Sequence, residues 1–191
     1  MRVTTTVRMA APSVALLDAA AEAGLVVVGS RGHRPLRGAL LGSTALQVAT
    51  HAPCPTVVVR DLGARAVTSP RRIVVGTDGS ETSQKAIAYA FAQADARGCE
   101  DVVVHACWLD LSGGRLVDVA TVTAEQVEED QRMLLAEQIA GFATQYPDVI
   151  VRPTVVQDEP AAALVRLSAG AELVVVGSRG RGGFRSLLLG S

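Results

Sequence analysis

The sequence predicts an α/β fold, a doubly wound parallel sheet present as one partial and one nearly complete copy. Three observations carry that prediction. β-branched runs alternate along the chain with segments of helical period. Runs such as Val26-Val27-Val28 show no in–out alternation, as expected of parallel strands covered on both faces. A long stretch also recurs: residues 25–32, LVVVGSRG, return as residues 173–180, an offset of 148 that carries Gly29 onto Gly177. At that offset Pro12 matches Pro160, Leu16 matches Leu164 and Arg37 matches Arg185. Leu40-Leu41-Gly42-Ser43 likewise matches Leu188-Leu189-Gly190-Ser191. About half of the positions from 3 to 43 are identical, a domain-sized period that reads as duplication.

The elements follow in order. Copy one supplies a strand at 3–8, a helix at 13–22, a strand at 25–28, a helix at 43–51 and a strand from Thr56 to Arg60. Residues 62–71 have linker character, with no periodic apolar face. Copy two opens with a β-branched strand at 72–77. A helix over 80–97 follows, with Ser80 as N-cap and Ile87, Ala90, Phe91 and Ala94 at helical spacing. Gly98 stands where a helix C-cap wants glycine. A strand at 101–107 comes next, then a helix at 123–146 with Val127, Met133, Leu134, Ile139 and Phe142 as its apolar residues. A strand at 149–156, a helix at 160–169 and a strand at 172–176 complete the alternation. The domain reading is therefore 1–61, the C-terminal part of a first domain, and 72–191, a second domain.

Composition narrows the function. With 49% hydrophobic and 19% charged residues, the 191-residue chain is too apolar for disorder. A formal net charge of −1 gives no electrostatic case for nucleic acid or an anionic membrane. Aromatics at 3% leave little to stack single-stranded bases on. No apolar run approaches the roughly 20 residues of a membrane span, and the first residues lack a signal-peptide core. Cys54, Cys99 and Cys107 are odd in number and not in CxxC spacing, so the expected compartment is the cytoplasm.

The chemistry lies in a glycine loop. Each copy carries Gly-x-x-Gly, nine residues, then Gly-Ser: Gly29, Gly32, Gly42 and Ser43 in the first; Gly177, Gly180, Gly190 and Ser191 in the second. Glycines at the carboxyl end of a buried strand let a ligand approach main-chain N–H groups. Gly42-Ser43 then opens a helix, whose N-terminus attracts phosphate. No Gly-Lys-Ser/Thr follows, so this is not a Walker loop, and the spacing is too wide for the dinucleotide GxGxxG. Asp78 ends the first strand of copy two, and in a doubly wound sheet both strand ends meet at the switch-point crevice. Arg31, Arg34, Arg37, Arg179, Arg181 and Arg185 read equally as phosphate-binding or as solvated loop charge. His105 reads as a core residue and Cys54 as a packed small one. His33 and His51 have no ligands at metal spacing. Thr82 and Ser83 read as capping residues.

These segments resemble the universal stress protein family. The resemblance is carried by Val74-Val75-Gly76-Thr77-Asp78-Gly79-Ser80, by Val103-Val104-His105-Ala106 and by the Gly177/Gly180/Gly190-Ser191 signature. It is also carried by Gly42-Ser43 followed by Ala52-Pro53-Cys54-Pro55-Thr56-Val57-Val58-Val59. The resemblance implies a Rossmann-like, adenine nucleotide alpha hydrolase-like sheet of five parallel strands, paired as a homodimer through the last strand, here Thr56 to Arg60. It implies Thr77, Asp78 and Ala106 at the nucleoside of ATP. It places the phosphates at Gly177, Arg179, Gly180, Gly190 and Ser191, with Gly29, Gly32, Gly42 and Ser43 as the equivalent loop of copy one. Against the family pattern, copy one lacks its first two strands and copy two its last helix and strand. The leading expectation is a non-catalytic, ATP-binding stress-response module, with Mg²⁺ accompanying the nucleotide. The alternatives are a weak ATP hydrolase or phosphotransferase, and an interaction scaffold that has lost nucleotide binding.

Overall fold

A computed structural model describes residues 2–30, 41–60, 71–106, 124–178 and 180, with 101–106 and 124 as backbone only. The chain forms two units, Met1–Ala64 and Arg65–Ser191.

The first unit contains α1 (Pro12–Ala20), β1 (Val26–Gly29), α2 (Ser43–His51) and β2 (Thr56–Val59). Pro12 starts α1 where a missing N–H costs nothing. β1 and β2 pair in parallel, from Val26 opposite Thr56 to Gly29 opposite Val59. Ala20, Val26 and Val48 form the core, with Leu16, Val28, Ala52 and Cys54 packed against it. Two expectations change here. Val26 is 7% exposed but Val27 57%, so burial alternates: the described residues of this unit cover one face of the strand pair, not both. The strand expected at 3–8 does not form, and Val3 and Val7 are exposed. The repeat-matched strand of the second unit, β5 below, is paired with a neighbour. Among the described residues of the first unit none offers that ladder, and a lone extended segment leaves its backbone groups to water.

The second unit contains β3 (Arg72–Thr77), α3 (Glu81–Arg97), β4 (Glu100–Ala106), α4 (Ala124–Gln145), β5 (Thr154–Val156), α5 (Pro160–Leu167) and β6 (Leu173–Val175). All strands are parallel, in the order β5-β4-β3-β6. Ile73 and Val75 of β3 pack with Ile87, Ala90, Phe91 and Ala94 of α3 and Leu135 and Ile139 of α4. The Phe91 ring lies 5.5 Å from Phe142 and 6.0 Å from Tyr146, a tilted aromatic cluster. On the other face Gly76 admits Leu164 of α5: a Cβ there would sit 3.0 and 3.1 Å from its two methyls. Ser80 caps α3 by accepting the Ser83 N–H at 3.2 Å, and Gly98 ends it with φ +61°. In α4 Leu135 and Ile139 are buried, whereas Met133 and Leu134, counted among its apolar residues, are exposed. The strand expected over 149–156 shrinks to Thr154–Val156, because Pro153 has no N–H to give a ladder.

The amino ends of β3 and β6 are tied by charge. Arg71 reaches Glu172 through Nε and, at 3.0 Å, through Nη2. Hydrogen bonding to Arg71 holds the Glu172 carboxyl below the usual carboxylate range, and burial pushes the neighbouring Cys99 thiol up.

Candidate functional site

β3 lies between β4 and β6, where the order of the strands reverses along the chain. The crevice outside the carboxyl ends of such strands is where open α/β sheets bind ligands. β3 ends at Thr77 and runs into Asp78-Gly79-Ser80 before α3 begins. The Asp78 Oδ1 accepts the Ser80 N–H at 3.0 Å, an Asx turn that sets the direction of the carboxylate. Gly79 takes φ +75°, a conformation other residues avoid. The Ser80 hydroxyl lies 3.0 Å from that of Thr82 while capping the helix.

Gly180 closes the site from the other strand. A Cβ built on it would collide with the Asp78 carboxylate, with the carboxyl carbon at 3.3 Å. The strand-end acid Asp78 and Gly180 of the glycine motif thus stand in contact. Only a residue without a side chain lets them meet. Gly177 lies just past the end of β6, and Ala106 ends β4 one residue beyond the pairing of Thr77 with His105. In the first unit Gly29 ends β1, Gly42 is the N-cap of α2 and Ser43 its first residue. The Gly42 N–H donates to the Ser30 carbonyl at 2.9 Å, which ties the strand end to the helix start. Gly32, Arg31, Arg34, Arg37, His33, Cys107, Arg179, Arg181, Arg185, Gly190 and Ser191 lie outside the described residues.

Two residues here differ from or escape the sequence reading. Ser83, expected as a capping residue, is 3% exposed and belongs to a buried hydroxyl network. Its Oγ donates to the Ser80 carbonyl at 2.8 Å and lies 3.0 Å from the Thr77 Oγ1. Gln138 of α4 reaches the same Thr77 hydroxyl at 2.9 Å across 61 positions of chain. Its position between buried Leu135 and Ile139 marks it as flanking the core stripe, but no motif marks it as functional. The His51 Nδ1 lies 3.0 Å from the Gln47 carbonyl. Among the described residues no group of three His, Cys, Asp or Glu side chains is placed to hold a metal ion.

The chemistry of the site follows from the Asp78 charge. A carboxylate about 4 Å from a phosphate oxygen repels it by roughly 4 kcal/mol at an effective dielectric near 20. Asp78 therefore suits hydroxyl groups, which donate to it, or a cation shared with phosphate. Backbone N–H groups beside glycines suit the phosphate itself.

The model of the universal stress protein family matches residues 2–60 and 70–191. A universal stress protein of Mycobacterium tuberculosis is 41% identical over 182 residues, covering 94% of this chain and 60% of its own length. One from Mycolicibacterium smegmatis is 40% identical over 193 residues, covering 100% of this chain and 64% of its own. This chain spans about 60% of the length of the curated relatives it matches. Among solved structures, a universal stress protein from Archaeoglobus fulgidus superposes with a TM-score of 0.61 at 22% identity. That match covers 94% of this chain and 59% of the other, and it shares the α/β fold. A universal stress protein solved in complex with cAMP is similar at 27% identity with a TM-score of 0.45, over 63% of this chain and 85% of its own. Matched along almost its whole length, the chain belongs to the universal stress protein family.

Proposed function

We propose that the second unit binds an adenine nucleotide, ATP with Mg²⁺, as a non-catalytic stress-response module of the cytoplasm. The contact of Asp78 with Gly180 at the switch point of the sheet carries this reading. In it the ribose hydroxyls donate to Asp78, and the backbone at Thr77 and Ala106 borders the nucleoside. Gly177 and Gly180, with Arg179, Gly190 and Ser191, take the phosphates, and Gly29, Gly32, Gly42 and Ser43 are the matching loop of the first unit. Mg²⁺ bound with the nucleotide would supply neutralisation of the phosphate charge, and Asp78 is the carboxylate that would share it. Titration calorimetry with MgATP on the full chain tests it. Asp78→Ala is expected to weaken binding at least tenfold, about 1.4 kcal/mol; equal affinity of the two proteins overturns the assignment. Phosphate release that survives purification and falls with Asp78→Ala would replace the binding module by the hydrolase reading.

A second reading concerns association. Among the described residues β2 pairs with β1 alone, leaving its outer edge open. An open edge templates strand pairing, so we propose homodimer formation through this strand.

A further inference from the structure

We infer that Gln138 is a positioning residue of the nucleotide site: its amide N–H donates to the Thr77 hydroxyl and so holds the turn that carries Asp78. The consequence for binding rests on the nucleotide reading above, whereas the hydrogen-bond argument does not.

Thr77 is buried, 6% exposed, and its hydroxyl sits at the hub of the strand end. It accepts the Gly79 N–H at 3.2 Å. It also lies 3.0 Å from the Ser83 Oγ and 2.9 Å from the Gln138 Oε1, and drawn in that way it donates to both. One hydroxyl carries one proton, so both bonds cannot be donated by Thr77. A side-chain amide turned by half a revolution exchanges its oxygen for its nitrogen, so the distance fixes the contact and not its direction.

Among the described residues, two arrangements keep the Thr77 contacts with Gly79, Ser83 and Gln138 together. In the first, Ser83 donates to Thr77 and Thr77 donates to the Gln138 oxygen. Ser83 then abandons the Ser80 carbonyl, the shortest contact of the set at 2.8 Å. In the second, the Gln138 N–H donates to Thr77, Thr77 donates to Ser83, and Ser83 keeps the Ser80 carbonyl. Only the second makes all four of these contacts, and in a buried network the more fully satisfied arrangement is the stable one.

The direction of that chain gives Gln138 its role. Its donation orients the lone pair with which Thr77 receives the Gly79 N–H. Gly79, at φ +75°, is the pivot between β3 and the Asx turn that points Asp78 at Gly180. Removal of the donor on α4 therefore loosens Asp78 without touching it. Recognition of the ribose side of the ligand is the function that suffers.

The test uses the full chain and two variants, Gln138→Met and Gln138→Glu, with two readouts. The first is amide hydrogen-exchange protection at Gly79 and Ser80 without ligand; the second is MgATP affinity by calorimetry at pH 7. Gln138→Met is expected to lower protection at both amides and to weaken binding about fivefold, in the range of one net hydrogen bond, while the protein stays folded. Gln138→Glu presents an ionised carboxylate, which only accepts. It is expected to match Gln138→Met at pH 7 and to regain protection, relative to wild type at the same pH, near pH 4, where the carboxyl carries a proton to donate. A Gln138→Glu protein with wild-type protection and affinity at pH 7 overturns the donor assignment. A wild-type chain that binds MgATP with the same affinity as Gln138→Met overturns the positioning role. A wild-type chain that binds no MgATP overturns the nucleotide reading itself.

Discussion

The change Gly180→Ala tests the contact on which the site rests. A methyl group at this position meets the Asp78 carboxylate head on, with the carboxyl carbon at 3.3 Å. Three ordinary outcomes compete: the loop withdraws, the carboxylate rotates, or both shift part of the way. The carboxylate is the end of a short side chain and turns easily, but its other oxygen accepts the Ser80 N–H at 3.0 Å. Rotation sacrifices that bond. A hydrogen bond to a charged group contributes about 1.5–3 kcal/mol, and the loop's alternative is to move its N–H groups off the phosphates. Either way the expected loss of MgATP affinity is about tenfold or more, since 1.4 kcal/mol is a factor of ten. Titration calorimetry on the full chain measures it, and a double-mutant cycle locates its cause. With Asp78→Ala in place the carboxylate is gone, so Gly180→Ala should cost little further. Wild-type affinity in Gly180→Ala, or strictly additive losses in the cycle, would refute the contact.

Four further outcomes are expected. Phe91→Ala empties the centre of the second unit's core, where the ring is fully buried against Phe142 and Tyr146, and should cost about 3–5 kcal/mol in urea denaturation. Gly76→Ala forces the two Leu164 methyls to yield, so a loss of about 1–3 kcal/mol is expected in the same assay. Glu172 has a lowered folded pKa from Arg71, so its contribution is full above the unfolded value of about 4.3 and is lost as pH falls through the folded one. Thermal melts from pH 7 down to 3 should accordingly fall less steeply for Glu172→Gln than for wild type, and parallel curves would show the pair to be without effect. In β2 the carbonyls of Pro55 and Val59 accept from β1, so the alternate Val58 N–H faces the open edge. Val58→Pro should then spare the β1–β2 ladder and shift a dimer toward monomer in light scattering; a wild-type monomer would refute the pairing.

Much of the fold was legible because its elements announce themselves locally. The stripe Ile87, Ala90, Phe91 and Ala94 is wholly buried on α3, and Ser80 and Gly98 sit at its ends as caps. α2 occupies Ser43–His51, as the glycine before it and the proline after it suggest. The failures come from neighbours, which no single segment encodes. Met133 and Leu134 are as apolar as Leu135, yet α4 turns only the last of them inward. Val149 and Val151 have strand propensity, but Val151 makes only an isolated bridge and the continuous strand starts after Pro153. At the site, Asp78 was visible as the acid that follows a strand, and Gly180 as the second glycine of the Gly-x-x-Gly motif after another. Gln138 was not, since its partner is 61 positions away and a glutamine on a helix flank looks like any solvated residue.

The repeated octapeptide isolates this distinction. Residues 25–32 and 173–180 are identical, so every difference between them comes from surroundings. Both place a strand and then a glycine, β1 in one unit and β6 in the other. Yet β1 pairs with β2, whereas β6 pairs with β3. Val26 is 7% exposed, beneath Val48 of α2 in its core cluster; its counterpart Val174 is 41% exposed. Apolar burial contributes about 25 cal/mol per Å², so one sequence holds its strand with different strength in the two places. The second setting has what the first lacks among the described residues: a β3 strand end bearing Asp78 beside the loop. A loop of this sequence therefore makes a candidate nucleotide site only where a neighbouring strand presents the acid. That is why the reading of function rests on the second unit and not on the motif's mere presence in both.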